Sequence, residues 1–201
     1  MPDRFAERRS SVDERLDAPA KPSGKAQVTL TDLSLRLRFG VKGTGALGWM
    51  KRQAVTLPVK DNTAVSHGAT MLVARLSPGE ALLLDLRDGK VLERLAASLP
   101  ERGNSGAYPV PRMDTHAWFR LEGPDVPFMF AKLCAVDLRP EKFANLSVAQ
   151  TIAARVSVIV IRHDVQNAPC YYLLTDSASA IYVWDCIVDA MAEFGGTVGT
   201  L

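Results

Sequence analysis

Three glycines, three histidines and three cysteines are the residues whose types and spacing could carry chemistry in this sequence. Gly43, Gly45 and Gly48 satisfy G-x-G-x-x-G, and Asp61 follows Gly43 by eighteen positions, near where an acid would hold a ribose hydroxyl. A dinucleotide site also needs a preceding strand buried on both faces and a long helix behind the glycines, so that N–H groups aim at a pyrophosphate. Here the preceding residues alternate with arginines and the chain reaches Pro58 within about three helical turns. Glycines at a strand-to-helix turn are the stronger reading.

His67, His116 and His163 fall in loop, strand and strand-end contexts, and no pair has a spacing that ligates a metal. Asp114 and His116, two apart on a strand, share a face as an acid and a base would in a hydrolase, but no G-x-S-x-G elbow supplies a nucleophile. His116 reads better as a partly buried residue with a local hydrogen bond. Cys134, Cys170 and Cys186 are odd in number and set in apolar sequence, as reduced buried thiols are. Cys134 at a helix C-terminus lacks the thiolate stabilisation of an N-terminus. No pair of carboxylates converges for acid and base work. The sequence therefore offers no catalytic, cofactor-binding or metal-ligating residue of its own.

The elements around these residues repeat. Phe39 to Met50 and Phe119 to Phe130 share a plan: an aromatic, a glycine four positions on, then a short helical run, so that Gly43 pairs with Gly123. Each copy follows an alternating segment and precedes two apolar runs and an amphipathic helix, giving two β-α-β-β-α halves in an α+β fold. Residues 1–26 mix opposite charges, then prolines and glycine, and read as a flexible arm. The domain proper is 27–201, with halves at about 27–100 and 112–196.

Leu33, Leu35, Leu37 and Phe39 alternate with polar residues and predict a strand; Ala46 to Gln53 predicts a short helix and Pro58 to Gly68 a polar loop. Met71 to Leu76 and Ala81 to Leu86 flank Ser77-Pro78-Gly79-Glu80 as a hairpin, Val91 to Leu99 is a helix, and Glu101 to Pro111 a linker. Thr115 to Leu121 is a strand. Gly123-Pro124-Asp125 opens a helix reaching about Cys134. The β-branched run Val156 to Ile161 predicts a central strand buried on both faces, paired with Tyr171 to Thr175. Asp176 or Ser177 caps a last helix whose stripe runs through Ile181, Trp184, Ile187, Val188, Met191 and Phe194 to Gly195.

Composition bounds the function class. The sequence has 201 residues, is 47% hydrophobic, and carries a formal charge of +2. That suffices for a sizeable core, and the charge is too small for a field that holds a phosphate backbone, so nucleic acid is not an expected partner. No run approaches the roughly 20 apolar residues that span a bilayer. With reduced thiols and no signal-like leader, the expected location is cytoplasmic.

Leu121-Glu122-Gly123-Pro124, Leu133-Cys134, Val136-Asp137-Leu138-Arg139-Pro140, Ala149-Gln150-Thr151, Tyr182-Val183-Trp184-Asp185 and Glu193-Phe194-Gly195 resemble, in order and spacing, the gamma subunit of heterotetrameric sarcosine oxidase. Phe39-Gly40-Val41-Lys42-Gly43, Arg75-Leu76-Ser77-Pro78-Gly79-Glu80 and Asp114-Thr115-His116 extend the resemblance from about Leu33 to Gly196. The departures are Ala81 where an aromatic is common and Thr115 where serine is usual.

The resemblance implies the folate-binding fold of the glycine-cleavage T protein and of the N-terminal domain of a tRNA-modifying GTPase. It implies a complex that oxidatively demethylates sarcosine to glycine. The one-carbon unit passes to tetrahydrofolate or leaves as formaldehyde, with H2O2 formed. It further implies alpha, beta and delta partner subunits that hold FAD, FMN, NAD and the folate site, with no cofactor in this chain. The equivalent subunit of N-methylglutamate dehydrogenase resembles the sequence nearly as well, and a free-standing folate-binding protein is a further alternative. A subunit of this kind needs complementary surface, and Trp49, Trp118, Tyr182, Trp184 and Phe194 are candidates for it.

Overall fold

The computed structural model describes residues 9–16, 27–99, 106–166 and 168–200. The part of the arm from residue 1 to 8 and from 17 to 26, the linker residues 100–105 and Asn167 lie outside them. Two sheets stack face to face, each covered by a pair of helices. One has the order β11-β1-β7-β10-β9-β8, built from β1 (Thr29–Asp32), β7 (His116–Glu122), β8 (Val148–Ala153), β9 (Val156–Arg162), β10 (Cys170–Asp176) and β11 (Thr197–Gly199). The other has the order β3-β4-β5-β2-β6, built from β2 (Arg38–Lys42), β3 (Thr63–His67), β4 (Met71–Ser77), β5 (Glu80–Asp85) and β6 (Tyr108–Pro111). The helices are α1 (Asp13–Leu16), α2 (Ala46–Arg52), α3 (Lys90–Ser98), α4 (Val126–Phe130) and α5 (Ala180–Met191).

Period two along the strands sorts side chains into three cores. Leu82 and Leu84 of β5 and Tyr172 and Leu174 of β10 meet Trp118 between the sheets. Ala81 and Leu83 turn outward beneath Trp49 and Met50 of α2 and Leu92 and Leu95 of α3. Tyr171 and Leu173 turn outward beneath Phe130 of α4 and Trp184 and Ile187 of α5. Strand β10, buried from Cys170 to Thr175, fills the role expected of Val156 to Ile161. Strand β9 lies next to the edge, with Val158 buried but an unbroken buried run only over its last three residues.

The repeat is present in register, with two strands more per half than β-α-β-β-α: β1 and β3, the latter where a polar loop was expected, then β6 and β8, with β11 after the second half. The halves also exchange strands. Strand β1 leaves the first half to pair antiparallel with β7, and β6 pairs in the same way with β2. Part of the expected linker is thus the edge strand β6, whose Pro109 and Pro111 suit an edge because they need no ladder partner.

Residues Leu33 to Leu37, expected as strand, are the crossover between the sheets. Leu33 packs between the sheets, Leu37 packs under α3, and Leu35 is 48% exposed. Of the arm, residues 9–16 lie on the domain: Val12 is buried with the α5 core, and Arg15 pairs with Asp185 at 3.1 Å. Helix α4 stops at Phe130, short of Cys134, as Lys132 and Leu133 donate to carbonyls three residues back and Cys134 bridges to Ala153. Along α5 the buried face is Ala180, Val183, Trp184, Ile187, Ala190 and Met191, which leaves Ile181 and Val188 of the expected stripe exposed. Asp176 caps the 3-10 turn Ser177–Ser179 that leads into α5, accepting from Ala178 N at 2.8 Å, and α5 itself starts after Ser179 without a side-chain cap.

Candidate functional site

Two crossovers, Leu33–Leu37 and Arg112–Thr115, run in opposite senses between the sheets and meet where the repeat axis passes. Arg38 sits at this meeting point, 2% exposed. Its guanidinium donates to the carbonyls of Ser34 and Arg36, each at 2.8 Å, to Met113 O at 3.1 Å, and to His116 O. One planar fork thereby ties both crossovers together, a geometry suited to arginine's fixed set of donors.

Beside it, a polar chain links the two sheets. Arg112 donates to Glu80 Oε1 at 2.8 Å and to His116 Nε2 at 2.7 Å, and Lys42 reaches Glu80 Oε2 at 3.2 Å. Arginine is only a donor, so Nε2 accepts and the proton of His116 is on Nδ1. That proton goes to Thr115 Oγ1 at 2.8 Å, whose own hydroxyl donates to Pro111 O at 2.7 Å. Burial first, then the charges of Arg112 and Arg38, push the imidazole down to about 4, so it is neutral at pH 7. Both ring nitrogens are engaged within the protein, which leaves none poised to move a substrate proton. The expected local hydrogen bond of His116 is there, with a larger network behind it.

His116 also lines a cleft of about 380 Å³ at the mouth of the inter-sheet layer, with Gln150, Ile152, Ser157, Ile159 and Leu174. Gln150 Nε2 is held by Asn62 Oδ1 and Leu76 O. Among the described residues no carboxylate lines this cleft, whereas a second cleft of about 150 Å³ that also touches His116 is lined by Asp114 with Ser34, Arg38 and Met113.

The other candidates are dispersed. At the glycine row, Gly43 N donates to Gly79 O at 2.8 Å and Gly45 N to Gly106 O at 2.9 Å, so the amides a phosphate would need are engaged. Gly48 lies within α2, a helix of 7 residues, and Asp61 pairs with Arg75 at 2.6 Å. The dinucleotide reading is thereby set aside. Gly43 is instead a close-approach position. Its φ is +120°, and a Cβ there would lie 2.2 Å from Gly106 O. At Gly123 the φ is +129°, and the same atom would lie 2.1 Å from Gln27 O. The turn of each half is thus roofed by the strand that arrives from the other.

His67 Nδ1 accepts from Thr56 N at 3.2 Å, and His163 stacks on Tyr172. Among the described residues no three His, Cys, Asp or Glu side chains are placed to hold a metal. Cys134 and Cys170 are buried, and burial pushes the Cys170 thiol up to about 12. Trp49, Trp118 and Trp184 are core, whereas Tyr182 is 49% exposed on α5. Sequence reasoning missed Arg38, Arg112 and Glu80 as a unit. Glu80 and His116 stand in two of the resemblance motifs, and only the fold brings them within one arginine of each other.

No protein-family model matches the sequence, and no curated protein sequence does. Solved structures do match. A chain of heterotetrameric sarcosine oxidase from Corynebacterium sp. U-96, in complex with pyrrole 2-carboxylate, superposes with a TM-score of 0.76 at 23% identity, over 94% of this chain and 96% of that one. Glycine cleavage system aminomethyltransferase T from Bartonella henselae gives a TM-score of 0.59 at 14% identity, over 88% of this chain and 48% of that one. This chain therefore spans about half of the aminomethyltransferase and nearly the whole of the sarcosine oxidase chain. No helix among the described residues is long and apolar enough to cross a membrane. The two sheets, their helix layers and these likenesses place the chain in the α+β fold that the aminomethyltransferase and the sarcosine oxidase chain share.

Proposed function

We propose that this chain is the small, non-catalytic gamma-type subunit of a heterotetrameric sarcosine oxidase-like complex. The observation that carries the reading is the end-to-end likeness to a chain of such a complex, with 94% and 96% of the two chains aligned. The local chemistry supports it. The polar chain from Lys42 through Glu80, Arg112 and His116 to Thr115 spends its hydrogen bonds within the protein and joins the two halves. In this reading FAD, FMN, NAD and tetrahydrofolate belong to alpha, beta and delta partners, and the reaction is the oxidative demethylation of an N-methyl amine such as sarcosine.

The likeness to the aminomethyltransferase favours a second reading, a free-standing folate-binding protein. That reading expects an acid in a pocket between the halves; the larger cleft beside His116 has none among its described lining, and the smaller one at the crossovers offers Asp114 alone, so the end-to-end likeness keeps the subunit reading first. The two are separated by tagging the chain in its native host, purifying it gently and recording the co-purifying proteins and the visible spectrum. Larger yellow partners with N-methyl amine oxidation are expected. A colourless lone chain that binds tetrahydrofolate would replace the first reading with the second.

A further inference from the structure

The repeat places equivalent grooves beside α3 and α5, and among the described residues only the one beside α5 is filled. In the second half, Val12, just before α1, is 1% exposed within the same core as Ala117, Phe119 and Trp184. Arg15, three residues on, pairs with Asp185 on the outer edge of α5. In the first half, Leu37 and Phe39 stand eighty positions before Ala117 and Phe119. The burial pattern matches Leu92 and Leu95 of α3 and Leu99 just after it to Trp184, Ile187 and Met191 of α5, which sets Glu93 where Asp185 stands and Ala96 where Val188 stands. Leu37, Arg38, Phe39, Leu92, Glu93, Ala96 and Met113 line an open groove of about 360 Å³, and the Arg38 guanidinium is spent on the crossover carbonyls of Ser34, Arg36 and Met113. Glu93 has no ion pair among the described residues, whereas Asp185 has Arg15.

We infer that the groove between α3 and the Arg112–Thr115 crossover is a docking site for a helical turn of a partner subunit. That turn carries an apolar side chain and, three positions on, an arginine or lysine, as Val12 and Arg15 do in the equivalent groove. The apolar side chain seats against Phe39, Leu92 and Met113, and the cation reaches Glu93. Charge complementarity and the filled twin of the groove both specify this chemistry. An apolar wall with one carboxylate at its rim suits an amphipathic turn, since burial drives the contact and the ion pair fixes its register. The inference rests on the subunit reading, because the partner is a larger chain of the same complex.

The test uses the assembled complex. A photo-crosslinking p-benzoylphenylalanine is placed at Ala96 in one preparation and at Ala97, exposed but outside the lining, in another. Irradiation is expected to join position 96, and not 97, to a partner peptide that carries the apolar and basic pair. Ala96→Glu adds a like charge beside Glu93 at an exposed position, so the chain still folds. It should lower partner recovery at least tenfold, and Ala97→Glu should leave recovery unchanged. Crosslinks only within the chain, such as to residues 1–8, or to a second copy, overturn the inference, as does unaltered recovery with Ala96→Glu. If no larger subunits co-purify with the unmodified chain, the subunit reading itself fails; if they do and position 96 does not reach them, only the groove inference fails.

Discussion

Replacing Gly123 with alanine tests whether the exchanged strands hold the two halves together. The added methyl would stand 2.1 Å from Gln27 O and 2.8 Å from its carbonyl carbon, both backbone atoms on the approach to β1. Relief requires β1 to retreat from β7, with which it pairs from Thr29 to Asp32. A φ of +129° adds backbone strain. Strain of this kind costs about 1–3 kcal/mol and overpacking against an ordered neighbour about 1–3 more, so the expected loss is about 4 kcal/mol. In a chain of this length that lowers the melting temperature by about 8–16 °C. Gly68→Ala is the control. Its φ is +60°, and nothing lies within 4 Å of the new methyl, so only the left-handed penalty of about 1–2 kcal/mol applies. Urea unfolding followed by the fluorescence of the three buried tryptophans reads the difference. Equal losses for the two variants would refute the roofing of the turn by the exchanged strand. Gly43→Ala, against Gly106 O, should behave as Gly123→Ala does.

His116 makes stability depend on pH. Its folded value of about 4 lies below the ordinary 6.5, so the unfolded chain binds more protons and stability falls as pH drops from about 6.5 to 4, with no further loss from this group below that. The imidazole keeps part of its solvent contact, so after allowance for screening the loss is about 1–2 kcal/mol, and His116→Asn should flatten that limb of the urea midpoint against pH. Arg38→Met removes the shared donor from the carbonyls of Ser34, Arg36, Met113 and His116, and should cost about 3–5 kcal/mol. Arg38→Lys should recover less than half of that, because an ammonium cannot span the fork; full recovery would show that charge alone is what the site needs. Cys186, half-buried, should react with a thiol reagent in the native chain, whereas Cys134 and Cys170 should react only after unfolding. Labelling of Cys170 at native rates would contradict its burial.

What was legible in the sequence was local and periodic. The glycine at each strand-to-helix turn, the Ser77 to Glu80 hairpin, α3, and the pairing of β9 with β10 each follow from short-range pattern. The register Gly43 to Gly123 is repeated in the structure down to the carbonyl that roofs each turn. Strands β3, β6 and β8 carried weak signals. Each lies at or near an edge where one face is wet, so no apolar run announces it. Strand β6 even contains two prolines, which the outer edge of a sheet tolerates.

The crossover misled for a different reason. Leu33, Leu35 and Leu37 alternate as a strand's residues would, yet the chain is passing between layers: Leu33 enters one core, Leu37 another, and Leu35 reaches solvent between them. Period two records alternating environments and says nothing about whether a ladder partner exists. The same passage explains the cluster at the repeat axis. A chain that crosses between sheets leaves carbonyls without strand partners, and a buried carbonyl must be met by a donor. Arg38 meets those of Ser34 and Arg36 on one crossover, and those of Met113 and His116 on and just after the other. A local pattern could not reveal it, because the need for that arginine arises only once both crossovers are in place. Strand exchange, which hid the topology from the sequence, is therefore also what makes the central polar residues necessary.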